Sequence, residues 1–177
     1  MLYDFDWNDV LKNLPLQGGE SKTPSADFYR NLDGRFDSII NQWKQAGYDQ
    51  CDSVEWINYY PDSHYNSIVA EKFSIWSNSK CARNWISRMR PGKMAPFHQD
   101  IDDNLEEYLA MGELVRFSVF ISQPSPGGLF LLKDQVYHNE PQGKVIMWDD
   151  YLDWHAGVNC GLADKFMFHY LGVKNEK

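Results

Sequence analysis

Cysteine is scarce in this chain: three occur, Cys51, Cys81 and Cys160, at wide and unrelated spacings. An odd total without a CxxC pair argues against a disulfide framework and against a cysteine-rich zinc site. It fits a reducing, intracellular setting. Long apolar runs are missing as well, none approaching the roughly 18 residues that span a bilayer. The opening MLYDFDWNDVL lacks the charged-then-apolar order of a secretion signal. A cytoplasmic protein without a membrane anchor is expected. Positive charge is the third shortage, since 17 Lys and Arg against 25 Asp and Glu leave a net charge of −8. Phosphate contacts need clustered Lys and Arg, so nucleic acid is a poor fit as partner. The one basic cluster, Arg83 to Lys93 with Arg88, Arg90 and Lys93 close together, suits a local anion contact at most. No nucleophile elbow and no phosphate loop occurs, which removes those hydrolase and nucleotide-binding readings.

Apolar material is plentiful. With 177 residues, 43% hydrophobic and 15% aromatic, the chain suits one domain, 1–177, with one core. Phe28, Leu32, Phe36, Ile39, Ile40 and Trp43 recur at three- and four-residue spacing and predict a helix, capped by Ser25 or Asp27 and ended by Gly47. The stretch LQGGESKTPS before it reads as a surface connection, and a weaker helical pattern runs from Ser63 to Trp76. VEWINYY reads as an edge strand. Past Cys81 the texture becomes short β-branched and aromatic runs between turn residues: NWISRM, VRFSVFIS, GGLFLLKD, GKVIMWDD, DWHAGVN and KFMFHYLGV. Residues 1–80 are thus expected to supply helical support and an edge strand, and 81–177 a β-sandwich or barrel core. Asp100 to Glu113 interrupts the strands with mixed acidic and apolar residues, as a solvated short helix or as a lid.

The chemistry concentrates on histidine. In His98-Gln99-Asp100 an extended backbone points both outer side chains to one face, where they can share a metal ion. The pair follows RMRPGKMAPF, a Pro-Gly turn leading into a strand, which places it at a rim. His155, in DYLDWHAGVN, offers a third ligand beside turn residues. Two histidines and one carboxylate suit non-haem iron(II) and leave positions open for substrate and oxygen. Lys165, ten positions on, opens KFMFHYLGV; an antiparallel strand beside that of His155 would bring its ammonium into the same cavity. A buried lysine needs an anion, which a dicarboxylate would supply; the alternative is a surface lysine. His169 shares parity with Lys165 and reads as a core histidine, His138 as an exposed turn residue, and His64 as a helix start. Asp149, Asp150 or Asp153 could stand in for Asp100, and Trp148 and Trp154 read as core and cavity wall.

From about Trp85 to Val173 the chain resembles the double-stranded β-helix (jelly-roll, cupin-like) of the iron(II)/2-oxoglutarate oxygenases. The resemblance lies in RMRPGKMAPFHQD, GGLFLL and GKVIMWDDYLDWHAGVNCGLADKFMFHYLG. It is similar to the prolyl 4-hydroxylase-like and aspartyl/asparaginyl hydroxylase-like branches. The resemblance implies Fe(II) on His98, Asp100 and His155, O2 as oxidant, and 2-oxoglutarate held at its far carboxylate by Lys165. Arg116 and Lys133 compete for that role; by strand parity Arg116, Ser118 and Phe120 share a face, inner if Arg116 binds ligand. Met89 stands where many prolyl-hydroxylase-like members carry a tyrosine that helps hold 2-oxoglutarate, so that role is lost or taken elsewhere. The implied reaction is hydroxylation of a peptidyl side chain, a free amino acid or a small metabolite. The rival readings are a cupin-like metal isomerase or hydrolase that ignores 2-oxoglutarate, and a non-catalytic binding module.

Overall fold

The computed structural model describes residues 5–14, 20–22, 41, 43–48, 52–60, 64–100 and 105–175. The helix expected over Phe28 to Trp43 lies almost wholly outside the described residues. Its far end is seen: residues 43–45 are helical and Gly47, at φ 83°, closes the turn on the carbonyl of Lys44.

In chain order the elements are α1 (Trp7–Lys12), β1 (Glu20–Lys22), β2 (Trp56–Tyr59), α2 (His64–Ser77), β3 (Ser79–Met89), β4 (Lys93–His98), α3 (Leu105–Met111), β5 (Leu114–Phe120), β6 (Gly128–Leu132), β7 (Gln135–His138), β8 (Val145–Met147), β9 (His155–Asn159) and β10 (Lys165–Lys174). The strands form two antiparallel sheets, a six-stranded one ordered β1-β2-β3-β10-β5-β8 and a four-stranded one ordered β4-β9-β6-β7. This is a mainly β double-stranded β-helix of the cupin type with helices at its N-terminal side. Among the described residues no helix is long and apolar enough to cross a membrane.

Alternation along β10 organises both layers. Phe168 and Tyr170 point outward with Phe117 and Val119 of β5, onto Phe73 and Val69 of α2 and Trp7 and Val10 of α1. Phe73 is fully buried, its ring 5.2 Å from Phe168 and 5.7 Å from Tyr170. The helices therefore cover one outer sheet face, as their apolar stripes demand. Met167 points the other way and joins Phe120, Phe130, Leu132, Ile146 and Trp148 between the sheets. Lys165 and His169 share that inward parity.

Three expectations change. VEWINYY is not outermost: β2 lies between β3 and β1, and β1 comes from Glu20–Lys22 inside the stretch read as a connection. Those three residues carry no β pattern of their own, so only their pairing reveals them. β10 does not lie beside β9; it belongs to the facing sheet, because β9 pairs with β4 and β6 and β10 with β3 and β5. VYHNEPQG, read as a turn, begins with β7, which pairs with β6.

Candidate metal centre

β4 and β9 are antiparallel neighbours, and their register sets His98 directly opposite His155. The ladder is broken between Ala95 and His98, and this irregularity brings His98 to the inner face at the strand end. The two imidazole centroids are 4.2 Å apart. Asp100 lies just past β4, its Oδ1 3.3 Å from His98 Nε2 and its Oδ2 3.6 Å from His155 Nε2. Candidate ligand atoms of all three residues fall within 4.8 Å of one another. Both histidines are buried and Asp100 is about one-third exposed, 33%, so the cluster opens to solvent on the carboxylate side.

The other ring nitrogens settle which tautomer is present. His98 Nδ1 lies 2.6 Å from the carbonyl of Pro96, and His155 Nδ1 3.2 Å from that of Asp153. A carbonyl can only accept, so each Nδ1 carries the proton and each Nε2 presents a lone pair. Two lone pairs facing one carboxylate repel it unless a cation sits among them, and the backbone ties are the kind that orient metal-binding imidazoles. Burial, then the neighbouring His98, pushes the His155 imidazole well below the ordinary histidine range, which keeps it neutral and able to ligate. Burial alone would raise the Asp100 carboxyl, but attraction led by the Arg116 guanidinium holds it well below the ordinary carboxylate range. The donor set therefore fits a divalent cation.

Arg116 is buried on the inner face of β5, with Ser118 and Phe120, as parity requires. Its guanidinium bonds to Asp100 Oδ2 and to the carbonyl of Tyr151 at 3.0 Å, and lies 3.6 Å above the Trp148 ring. Here it is a partner of the candidate ligand Asp100. Trp148 stands edge-on to His155, centroids 4.6 Å apart, and its Nε1 donates to Ser118 Oγ at 3.0 Å. Ser118 also meets His169, which contacts Ser87 on its other side at 2.9 Å and stacks on Trp85. His169 is thus a satisfied core histidine, its imidazole pushed by burial down to about 3.

Lys165 is buried and reaches across from β10 toward the facing sheet, its ammonium bonded to the carbonyl of Leu129. A methyl group placed on Gly157 would lie 3.7 Å from Lys165 Nζ and 3.0 Å from Met89 Cε, so the ammonium ends beside Gly157, two residues along the inner face from His155. No carboxylate pairs with it among the described residues, and burial pushes its ammonium down to about 7. Lys133 lies elsewhere, half-exposed in the β6–β7 turn and paired with Asp149 and Asp153 at 3.1 Å each. Those carboxylates consequently do not join the histidine pair. Trp154 is not core either: it is 40% exposed, stacked on Phe97 outside the cluster. His138 is exposed at the end of β7, and His64 is the first residue of α2. Of Asp100 to Glu113, Leu105–Met111 forms a helix with Leu109 and Met111 exposed.

Sequence reasoning misses the aromatic packing behind His98. Trp56 stacks on its ring at 5.9 Å and Trp43 meets it edge-on at 5.4 Å, donating from Nε1 to the carbonyl of Phe97 at 3.3 Å. For Trp56 the period of two within VEWINYY is the one available signal; for Trp43 there is none.

Fold and cluster together define a double-stranded β-helix chain with a two-histidine, one-carboxylate site able to hold a metal ion. No family model and no curated protein matches the sequence. Among solved structures it is similar to the viral collagen prolyl hydroxylase of Paramecium Bursaria Chlorella virus-1 in its 2OG complex, at 15% identity and TM-score 0.47, over 89% of this chain and 96% of that one. A 2OG-Fe(II) oxygenase family oxidoreductase from Burkholderia pseudomallei aligns at 16% identity and TM-score 0.41, over 64% of this chain and 54% of that one. A cupin 2 conserved barrel domain protein from Rhodopseudomonas palustris aligns at 10% and 0.36, over 70% and 62%. These likenesses concern the course of the chain and not its chemistry.

Proposed function

We propose that this chain is an Fe(II)- and 2-oxoglutarate-dependent oxygenase that hydroxylates a peptidyl side chain, a free amino acid or a small metabolite. The observation that carries the reading is Lys165: a buried ammonium without a carboxylate partner among the described residues, reaching across from the facing sheet to Leu129 and Gly157 on the wall that carries His98 and His155. A dicarboxylate bound between cluster and lysine satisfies both.

His98, Asp100 and His155 would hold the metal on one side and leave the opposite positions open. Bound iron(II), with 2-oxoglutarate and oxygen, supplies oxidative decarboxylation coupled to hydroxylation of a substrate carbon. Lys165 receives the distal carboxylate, and Gly157, lacking a side chain, lets the Lys165 and Met89 side chains close onto the strand that carries His155. Arg116 keeps Asp100 ionised and aimed at the cluster. Trp148, braced by Ser118, walls off His155 from water.

Adding iron(II) and then 2-oxoglutarate to apo-protein without oxygen is expected to produce a visible charge-transfer band, absent in His155→Ala and His98→Ala. Iron bound without a band would remove 2-oxoglutarate from the account and favour the cupin-like isomerase or the binding module.

A further inference from the structure

Behind the metal cluster a line of hydrogen bonds crosses three neighbouring strands, β5, β10 and β3, where His169 stands directly opposite Ser118. The line begins at Trp148, which touches the cluster on two sides. Its ring is edge-on to His155, and it carries the Arg116 guanidinium that holds Asp100. An indole N–H can only donate, so Trp148 Nε1 gives its proton to Ser118 Oγ at 3.0 Å. Ser118 is fully buried, and its own hydroxyl proton needs an acceptor. Among the described residues the other polar atom bonded to it is His169 Nδ1, at 3.0 Å. That nitrogen therefore accepts, the ring proton sits on Nε2, and Nε2 donates to Ser87 Oγ at 2.9 Å. The line runs one way, from Trp148 through Ser118 and His169 to the half-buried hydroxyl of Ser87. His169 thus holds the opposite tautomer from His98 and His155. Trp85 stacks on the His169 ring, centroids 4.9 Å apart at 19°, and lies 5.7 Å from the Arg116 guanidinium.

We infer that His169 is a positioning residue for the metal centre: through Ser118 it fixes the plane of Trp148, and Trp148 fixes His155 and the Arg116–Asp100 pair. The inference rests on the cluster's binding a divalent metal, and not on the reaction that follows. Stacking on Trp85 alone asks for no histidine, since an apolar ring would pack there as well. What histidine adds is an acceptor aimed at Ser118 and a donor aimed at Ser87. Without that acceptor the buried Ser118 hydroxyl must seek another, turning its lone pairs away from the indole. Trp148 is then free to tilt, and both of its contacts with the cluster tilt with it. Supports of this kind set how well metal ligands converge, and losing one loosens the site without removing a ligand.

Calorimetric titration with manganese(II) reads the effect as metal affinity, without oxygen or turnover. His169→Phe keeps the stacking and removes the acceptor, and affinity should fall about tenfold. His169→Asn returns an acceptor at the Nδ1 position and should recover most of that loss. Ser118→Ala should match His169→Phe, and the double variant should bind no more weakly than either, because both break one line. Ser87→Ala, a change at a half-buried position, should weaken binding several-fold. All variants should keep the parental far-UV circular dichroism. Parental affinity in His169→Phe and Ser118→Ala, additive losses in the double variant, or equal losses in His169→Asn and His169→Phe would each overturn the assignment. Should His169→Phe fail to fold, parental affinity in Ser87→Ala overturns it instead. A parent that binds no divalent metal removes the metal centre and this inference with it, whereas a parent that binds and variants that match it remove the inference alone.

Discussion

At Lys165 the charge state follows from where the side chain ends. Its ammonium is buried with a carbonyl for company, and its proton is released near pH 7 instead of near 10.5. Between those values the unfolded chain holds a proton that the folded one has lost, so this residue makes stability rise with pH from about 7 to 10.5. Lys165→Met should therefore stabilise the apo-protein most at pH 6, with the gain shrinking toward pH 10 in urea titrations. A gain independent of pH would mean that the ammonium is not desolvated. The opposite dependence should appear in ligand binding: a dicarboxylate selects the charged lysine, so affinity for 2-oxoglutarate should fall above pH 7, and Lys165→Met should lower it at least tenfold. An unchanged affinity would move the role to Arg116. His169 is the same case at acid pH: neutral when folded and depressed to about 3, it costs stability as pH falls from 6.5 toward 3.

Among the elements, the tightest constraint is the crossing of the loop before β6 with the loop after β9. Gly127 has φ 90°, and a methyl group there would stand 2.4 Å from the amide nitrogen of Gly161; one on Gly161 would stand 2.3 Å from the carbonyl of Pro126. Gly127→Ala is expected to cost at least about 2 kcal/mol, from backbone strain plus the clash. A neutral result in urea denaturation would show that the loops can part. The glycine pair in GGLFLL is readable from sequence as the opening of a strand, whereas its partner in the other loop is not. The same limit governs most elements. NWISRM, VRFSVFIS, GGLFLLKD, GKVIMWDD, DWHAGVN and KFMFHYLGV all become strands, because alternation and turn chemistry are local. β1 and β7 escape notice because pairing, not composition, makes them strands. Sheet membership escapes for the same reason: nothing within KFMFHYLGV says that β10 faces β9 instead of flanking it.

The whole molecule is two layers of different character. The helix-covered face is a dry aromatic core around Phe73, and Phe73→Ala should cost about 3–5 kcal/mol in a urea titration while leaving iron binding intact. The interior between the sheets mixes apolar packing with ionisable groups, and there the candidate site was half legible. His98, Asp100, His155 and Lys165 stand out in sequence because their types and spacing carry chemistry. Arg116's engagement with Asp100 and the bracing of Trp148 by Ser118 do not, since each depends on contacts between segments far apart in the chain. Because a metal binds the folded chain and not the unfolded one, manganese(II) at millimolar concentration should raise the melting temperature by several degrees, and Asp100→Ala should abolish the rise.

The pairing of His98 with His155 has a mechanical side. β4 ends the four-stranded sheet, held in that sheet by β9 alone, and its ladder is interrupted just before His98. An ion shared by the two imidazoles would rivet this outer strand to its neighbour at the point where its ladder with β9 is interrupted. Deuterium uptake should therefore show β4 exchanging early in the metal-free chain and slowing on loading, with β10, flanked on both sides, indifferent to the ion.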